Sequence, residues 1–157
     1  MDYTYFKLIH IIAVMLFLGN IITGLFWMRV AVITKDVKII SHTVRGIIRS
    51  DKYFTVPGVF IIIFGGLMAA IYGHFPIFHT GWILWSIILF TISGLAFSFK
   101  VAPLQNKISR FIQSKETLTD QDWIDFHKLY VQWDIWGLIA LLTPLTAFVM
   151  MTLKIPN

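Results

Sequence analysis

The sequence predicts an all-α integral membrane protein, an up-down four-helix bundle with amphipathic cytoplasmic helices. The chain of 157 residues is 57% hydrophobic and 13% charged, with six Trp and fourteen Phe, which a small water-soluble core could not bury. Short connections force neighbouring spans to run antiparallel, so we expect one four-span domain over residues 1–157. The stretches long enough to cross a bilayer are residues 8–28, 56–72, 81–99 and 135–153.

The distribution of basic residues predicts the orientation. Eleven of the thirteen Lys and Arg fall in residues 29–52 and 100–128, and only Lys7 and Lys154 lie elsewhere. Because short loops rich in Lys and Arg stay in the cytoplasm, we expect both termini outside the cell inner (cytoplasmic) membrane. Orientation and attraction to anionic lipid head groups explain the basic balance, so membrane lipid is an expected partner and nucleic acid is not.

The first span is unusual because it contains His10 and no charge between residues 8 and 28. It is too long for a signal peptide and ends at Trp27 and Arg29, so we expect it to be retained. A histidine within a span indicates a functional site, and the alternative is a ring hydrogen-bonded to a neighbouring helix. Asn20, deeper in the same span, must also find a partner on another helix.

The two basic segments carry amphipathic patterns. The first predicts an interfacial helix lying on the cytoplasmic leaflet, with apolar positions opposite the basic ones: Val37, Ile40, Val44 and Ile47 against Lys38, Arg45, Arg49 and Lys52. In the second, Thr119 can cap a helix whose aromatic stripe would seat it at the membrane interface: Trp123, Phe126, Tyr130 and Trp133. Arg29 and Asp134 lie at comparable depths and predict an ion pair.

Topology places three of the five histidines in the outer leaflet. His10 lies one turn below the surface, and His74 and His79 flank the turn between the second and third spans. There is no cysteine, so any metal would be held by His, Met or oxygen. With Met68, Met150 and Met151 at similar depths, the three histidines are candidate ligands of haem iron or copper. Ordinary surface histidines and packing methionines are the alternative.

Lys7 and a stripe of small residues complete the candidate cofactor site. Lys7 is three residues before His10 and could pair with a haem propionate or with an anionic lipid. Small residues on the second span would either leave a flat gap for a porphyrin or allow close helix packing: Gly65, Ala69 and Gly73, with Gly66 and Ala70 adjoining. An exposed stripe of this kind is also compatible with a homodimer.

The first span resembles a superfamily of small bacterial membrane proteins. Lys7, His10 and the small and aromatic residues that follow them to Arg29 carry the resemblance, with a second match over residues 80–97. The superfamily contains HemJ-type protoporphyrinogen oxidases and CopD-type copper proteins, and the chain is most similar to its uncharacterised branches. The resemblance implies that His10 binds haem b. The HemJ-type lysine of the matching helix is missing here, since Leu84, Trp85 and Ser86 are uncharged.

These patterns predict a haem b-binding membrane protein with a redox or electron-transfer role, which could make it a membrane oxidoreductase. His10 would be an axial ligand, His74 or His79 a second ligand, and quinone or a redox protein the electron partner. A copper-handling or transport protein that uses the same histidines is the alternative, and a cofactor-free membrane scaffold is a third. No catalytic triad, phosphate loop or paired-carboxylate motif is present.

Overall fold

A computed structural model describes residues 3–156 and is helical apart from its turns. Six α-helices occur in it, and two short π-helical segments join α2 to α3 and α4 to α5. In chain order they are α1 Tyr3–Thr34, α2 Val37–Ser50, the first π segment Asp51–Thr55, α3 Val56–Tyr72, α4 Gly81–Ala96, the second π segment Phe97–Val101, α5 Ala102–Gln113 and α6 Asp120–Leu153.

The π segments do not interrupt the helices, so the described residues form four long rods. These are Tyr3–Thr34, Val37–Tyr72, Gly81–Gln113 and Asp120–Leu153, and each is long and apolar enough to cross a membrane. The predicted all-α, four-span bundle is therefore confirmed. The rods extend well beyond the predicted spans, because the amphipathic segments continue the membrane helices instead of turning away from them.

The bundle has two halves that pack differently. In the half near the termini, which we call the terminal half, α1 packs closely on α3 and α4 on α6, while the backbones of the two pairs stay apart. In the other half, which we call the basic half, α2 and α5 join the pairs by packing on each other, on α1 and on α6. The basic half thus holds the four rods together.

The buried core follows the same division. The larger cluster lies in the basic half and includes Met28, Ile40, Ile108, Ile112 and Phe126, each at most 1% exposed. A smaller cluster lies in the terminal half: Ala13, Phe17, Leu18 and Ile62. Many large apolar side chains of the terminal half point outward, which a lipid environment requires and water would penalise.

The prediction that α2 lies on the leaflet is wrong. Its axis continues into α3 as one rod, and its apolar stripe of Ile40, Val44 and Ile47 is buried within the bundle. The physical reason is that α5 presents a matching stripe, including Ile108 and Ile112, and two such stripes bury each other. The sequence pattern is the same whether an apolar face meets lipid or protein.

The aromatic stripe of α6 was also expected at the membrane interface, and it faces the bundle interior instead. Phe126 is 1% exposed and Trp133 is 3% exposed. Successive rings along the stripe lie 5.6, 6.3 and 6.4 Å apart between centroids. The stripe therefore fills the core of the basic half.

Other local predictions are confirmed. Thr119 caps α6 in a capping box with Asp122. Arg29 donates two hydrogen bonds to Asp134, from Nη2 at 3.0 Å and from Nε at 3.1 Å. This bidentate pair ties α1, near its C-terminal end, to the middle of α6.

Candidate functional site

His10 packs against two glycines of α3, with its backbone over Gly65 and its ring over Gly66. On α3, a Cβ added to Gly65 would lie 3.3 Å from the His10 backbone, and one added to Gly66 would lie 2.9 Å from His10 Cε1. Any larger residue at position 66 would displace the ring. Gly66 is therefore the residue that allows α3 to approach His10 so closely.

A hydrogen bond fixes the ring in this place. His10 Nδ1 lies 2.8 Å from the carbonyl oxygen of Ile62, one turn before Gly66 on α3. A carbonyl can only accept, so Nδ1 carries the proton and the lone pair is on Nε2. The alternative expectation for His10, a ring bonded to a neighbouring helix, describes this contact. The same contact leaves Nε2 able to bind a metal.

The small-residue stripe of α3 serves this packing. Gly65 and Ala70 are buried, and Gly65 and Gly66 are covered by His10 itself. The stripe is therefore neither an exposed dimer surface nor an open flat gap at the level of His10. Close helix packing, one of the two predicted roles, is the role that these glycines perform.

The other predicted site residues lie away from the His10 ring. His74 and His79 are exposed in the turn after Tyr72. His74 comes eight residues after Gly66, past the end of α3 at Tyr72. Lys7 is exposed, and its Nζ lies 5.7 Å from the centroid of the Tyr3 ring. Within residues 3–156, no three His, Asp or Glu side chains come together to hold a metal ion.

A second polar site, in the bundle interior, was not among the predicted sites. Its centre is the carboxyl group of Asp51, which is 8% exposed at the start of the first π segment. Oδ1 accepts hydrogen bonds from Asn20 Nδ2 at 2.9 Å and from Thr55 Oγ1 at 2.7 Å. Oδ2 accepts one from Gln105 Nε2 at 2.8 Å. We call these four residues the Asp51 cluster.

The Asp51 cluster joins three rods. Asn20 comes from α1, Asp51 and Thr55 from the first π segment, and Gln105 from α5. Asn20 Nδ2 also lies 2.9 Å from Thr55 Oγ1. The predicted need of Asn20 for a partner on another helix is confirmed. Such a cluster couples the positions of the rods, because breaking it would leave buried polar groups without partners.

The spacing of residues along α2 indicates that Asp51 is buried, which a count of charges does not show. Asp51 lies four residues after Ile47 and four before Thr55, so it continues the buried stripe of α2 at helical spacing. Gln105 likewise adjoins Leu104 in the buried stripe of α5. A carboxylate on an apolar face is unusual, and that position marks it as a site.

The fold and these two polar sites define a class: a four-span membrane bundle with ionisable side chains inside it. Comparison with known proteins agrees with the class. Residues 4–155 match the family described as "Predicted integral membrane protein (DUF2269)", and the chain belongs to that family. No curated protein matches the sequence, and no solved structure does either.

Proposed function

We propose that this membrane protein binds haem b through His10 Nε2 and serves a redox or electron-transfer role. The observation that carries the proposal is the 2.8 Å contact between His10 Nδ1 and the Ile62 carbonyl oxygen. Histidines that ligate metals almost always donate their other ring N–H to a carbonyl or carboxylate, which sets the tautomer and the ring orientation. His10 has that arrangement before any metal is bound.

The surroundings of His10 support this assignment among the five histidines. His42, His74, His79 and His127 are exposed, whereas His10 is half-buried. We assign the iron to His10 alone, with His74 and His79 outside the coordination sphere, because both lie exposed in the turn that follows α3. One protein ligand and one open position suit small-molecule chemistry as well as electron transfer.

Each residue of the site has a distinct task in this proposal. The Ile62 carbonyl holds Nδ1, Gly66 gives the ring its place, and Lys7, one turn away and exposed, offers an ammonium group to a propionate. Haem would supply one-electron chemistry. A quinone dissolved in the same bilayer is the proposed electron partner, and a redox protein is the alternative.

The test is an absorption spectrum of the full chain, purified from cells supplied with haem, in oxidised and reduced forms. We expect a Soret band that is lost in His10→Ala and retained in His74→Ala and His79→Ala. The last two variants are matched controls because they remove the same ring from exposed positions. Loss of the band only in His74→Ala or His79→Ala would overturn the assignment.

The same preparation separates the other functions. A colourless protein with stoichiometric copper would replace haem binding by copper handling. A colourless protein that holds no metal after haem supplementation would leave a cofactor-free scaffold and contradict both metal proposals.

A further inference from the structure

The Asp51 cluster borders a small cavity where all four rods meet. The cavity has a volume of about 20 Å³, and its lining includes Asn20, Asp51, Gln105 and Trp133. A cavity of about 10–15 Å³ suffices for one water molecule, provided that polar groups are there to bind it. The cavity therefore has the size and the polar groups for a single water.

One group at this cavity has no hydrogen-bond partner. Trp133 is 3% exposed, and its indole Nε1 is the one buried side-chain nitrogen or oxygen in the described part of the chain that lacks a partner. The indole N–H is a donor only, so the missing partner must be an acceptor. This requirement excludes a bare cation as the partner of Trp133 and fits the oxygen of a water.

The carboxyl group of Asp51 has no cationic partner. The salt bridges within residues 3–156 involve Asp122, Asp125 and Asp134, and none includes Asp51. Every side chain that donates to Asp51 is neutral. A buried carboxylate without a counter-ion is costly, and protonation removes that cost.

The groups that face Asp51 from the packed elements are also uncharged. They are Asn20 on α1, Gln105 on α5 and, across the cavity, Trp133 on α6. Along its own rod, Arg49 and Lys52 are exposed and point away from the interior. The Arg29–Asp134 pair on α1 and α6 is internally neutralised. The Asp51 carboxyl group is thus the one ionisable group in the lining of the cavity.

Both π segments border the cavity, the first through Asp51 and the second through Phe97 and Val101. In each, the backbone N–H of the residue that follows the segment bonds five residues back, from Val56 to Asp51 and from Ala102 to Phe97. Such segments are rare and are frequently found at functional sites. Here they place two rods around the same cavity.

We propose that this cavity is a proton-binding site, in which one buried water accepts a hydrogen bond from Trp133 Nε1 and donates to the Asp51 cluster. The proton comes from bulk water and binds to the Asp51 carboxylate, giving a neutral carboxylic acid. No electron moves and no other bond breaks. The site is separate from His10 and does not depend on haem.

Infrared difference spectroscopy of the full chain in lipid nanodiscs tests this, with the pH stepped between about 4 and 9. We expect a protonated-carboxyl C=O band that is lost in Asp51→Asn. We also expect an O–H band of a confined water, which shifts in H₂¹⁸O and disappears in Trp133→Phe. Trp136→Phe is the matched control, because Trp136 is on the same helix and does not line the cavity.

If Asp51→Asn does not fold, ¹³C-carboxyl labelling separates the aspartate C=O bands from those of Glu116 and the backbone, and Trp133→Phe then identifies the band of Asp51 among the labelled aspartates. Trp133→Phe should then shift the labelled C=O band, and Trp136→Phe should leave it in place. A C=O band unchanged by Asp51→Asn or by Trp133→Phe would overturn the proposal. So would an Asp51 that stays ionised over the whole pH range, or the absence of any water band sensitive to Trp133.

Discussion

The position of the His10 ring depends on the absence of a side chain at Gly66. In Gly66→Ala the added methyl would lie 2.9 Å from His10 Cε1 and 3.0 Å from Nδ1, so the ring must move and its bond to Ile62 must lengthen. We expect a loss of about 1–3 kcal/mol in stability, as for an overpacked core. Thermal unfolding in detergent measures it, together with the Soret band of the haem-loaded protein.

Gly94→Ala is the control for this substitution, since no heavy atom lies within 4 Å of a Cβ at that position. It places the same methyl in another apolar helix. Equal effects of the two substitutions would show that the place of His10 does not depend on Gly66.

Asp122 gives a prediction about pH at the start of α6. Lys115 donates to it at 2.6 Å and the Thr119 hydroxyl at 2.8 Å, and these bonds lower its pKa from 3.8 to about 2. Because the folded-state pKa is depressed, the stabilisation is complete above about pH 4 and is lost as the pH falls through about 2. NMR titration of labelled aspartate carboxyls measures the pKa.

Removing the largest cause of that shift tests its origin. In Lys115→Met the pKa of Asp122 should rise toward 3.8, because the hydrogen bond from Lys115 contributes most to lowering it. Lys128→Met removes a lysine that pairs with Asp125 and serves as the control. An unchanged Asp122 pKa in Lys115→Met would show that Thr119 alone sets it.

Individual residues could be predicted where local chemistry permits only one outcome. Asn20, a polar residue within a span, needs a hydrogen-bond partner on another helix. Arg29 and Asp134 have opposite charges at a similar depth and are expected to form an ion pair. Both predictions are confirmed. The partners of Asn20 could not be predicted, since helix rotation decides which side chains face it. Asp51 was missed because it lies among the basic residues between the first two spans, where only the Lys and Arg pattern was considered.

At the scale of the helices, α2 tests whether its apolar stripe packs on protein. Ile40 is fully buried and its neighbour Ile39 is 45% exposed, so they form a matched pair on one helix. We expect Ile40→Ala to cost about 2–5 kcal/mol, through lost burial and the cavity left behind. Ile39→Ala should cost about 0.5 kcal/mol or less. Unfolding in detergent measures both, and similar losses would mean that α2 is not held by its Ile40 face.

Element positions were predictable because hydrophobic periodicity and capping residues are local signals. Thr119, the last residue of the loop before α6, caps that helix with its side chain, as the sequence predicts. Whether each apolar face packs on lipid or on another helix could not be predicted from such local signals. An apolar stripe can be buried equally well by lipid or by a second amphipathic helix. The stripes of α2 and α6 were therefore assigned to the membrane, although each faces the bundle interior.

For the whole molecule, the distribution of Lys and Arg predicts that the termini face outward, and the absence of cysteine makes this easy to test. Phe78 in the turn after α3 and Glu116 in the loop before α6 are both exposed. In intact cells, a membrane-impermeant thiol reagent should label Phe78→Cys and not Glu116→Cys. Permeabilised cells should give labelling of both variants, and the reverse pattern in intact cells would invert the topology.

The first π segment has a consequence for the alignment of distant contacts. One residue of an α-helix turns the chain by about 100°, and a π segment holds one residue more than an α-helical turn would. Deleting a single exposed residue there, such as Tyr53, would turn the segment into an ordinary α-helical turn and leave α3 in nearly the same rotational phase, with Gly66 still beneath the imidazole. Deleting an exposed residue of α3 itself before Gly66, such as Phe60, would instead rotate the rest of the helix by about 100° and move Gly66 away from the ring. Residues 51–55 are therefore the part of this rod that can lose a residue without separating the glycine from the ring.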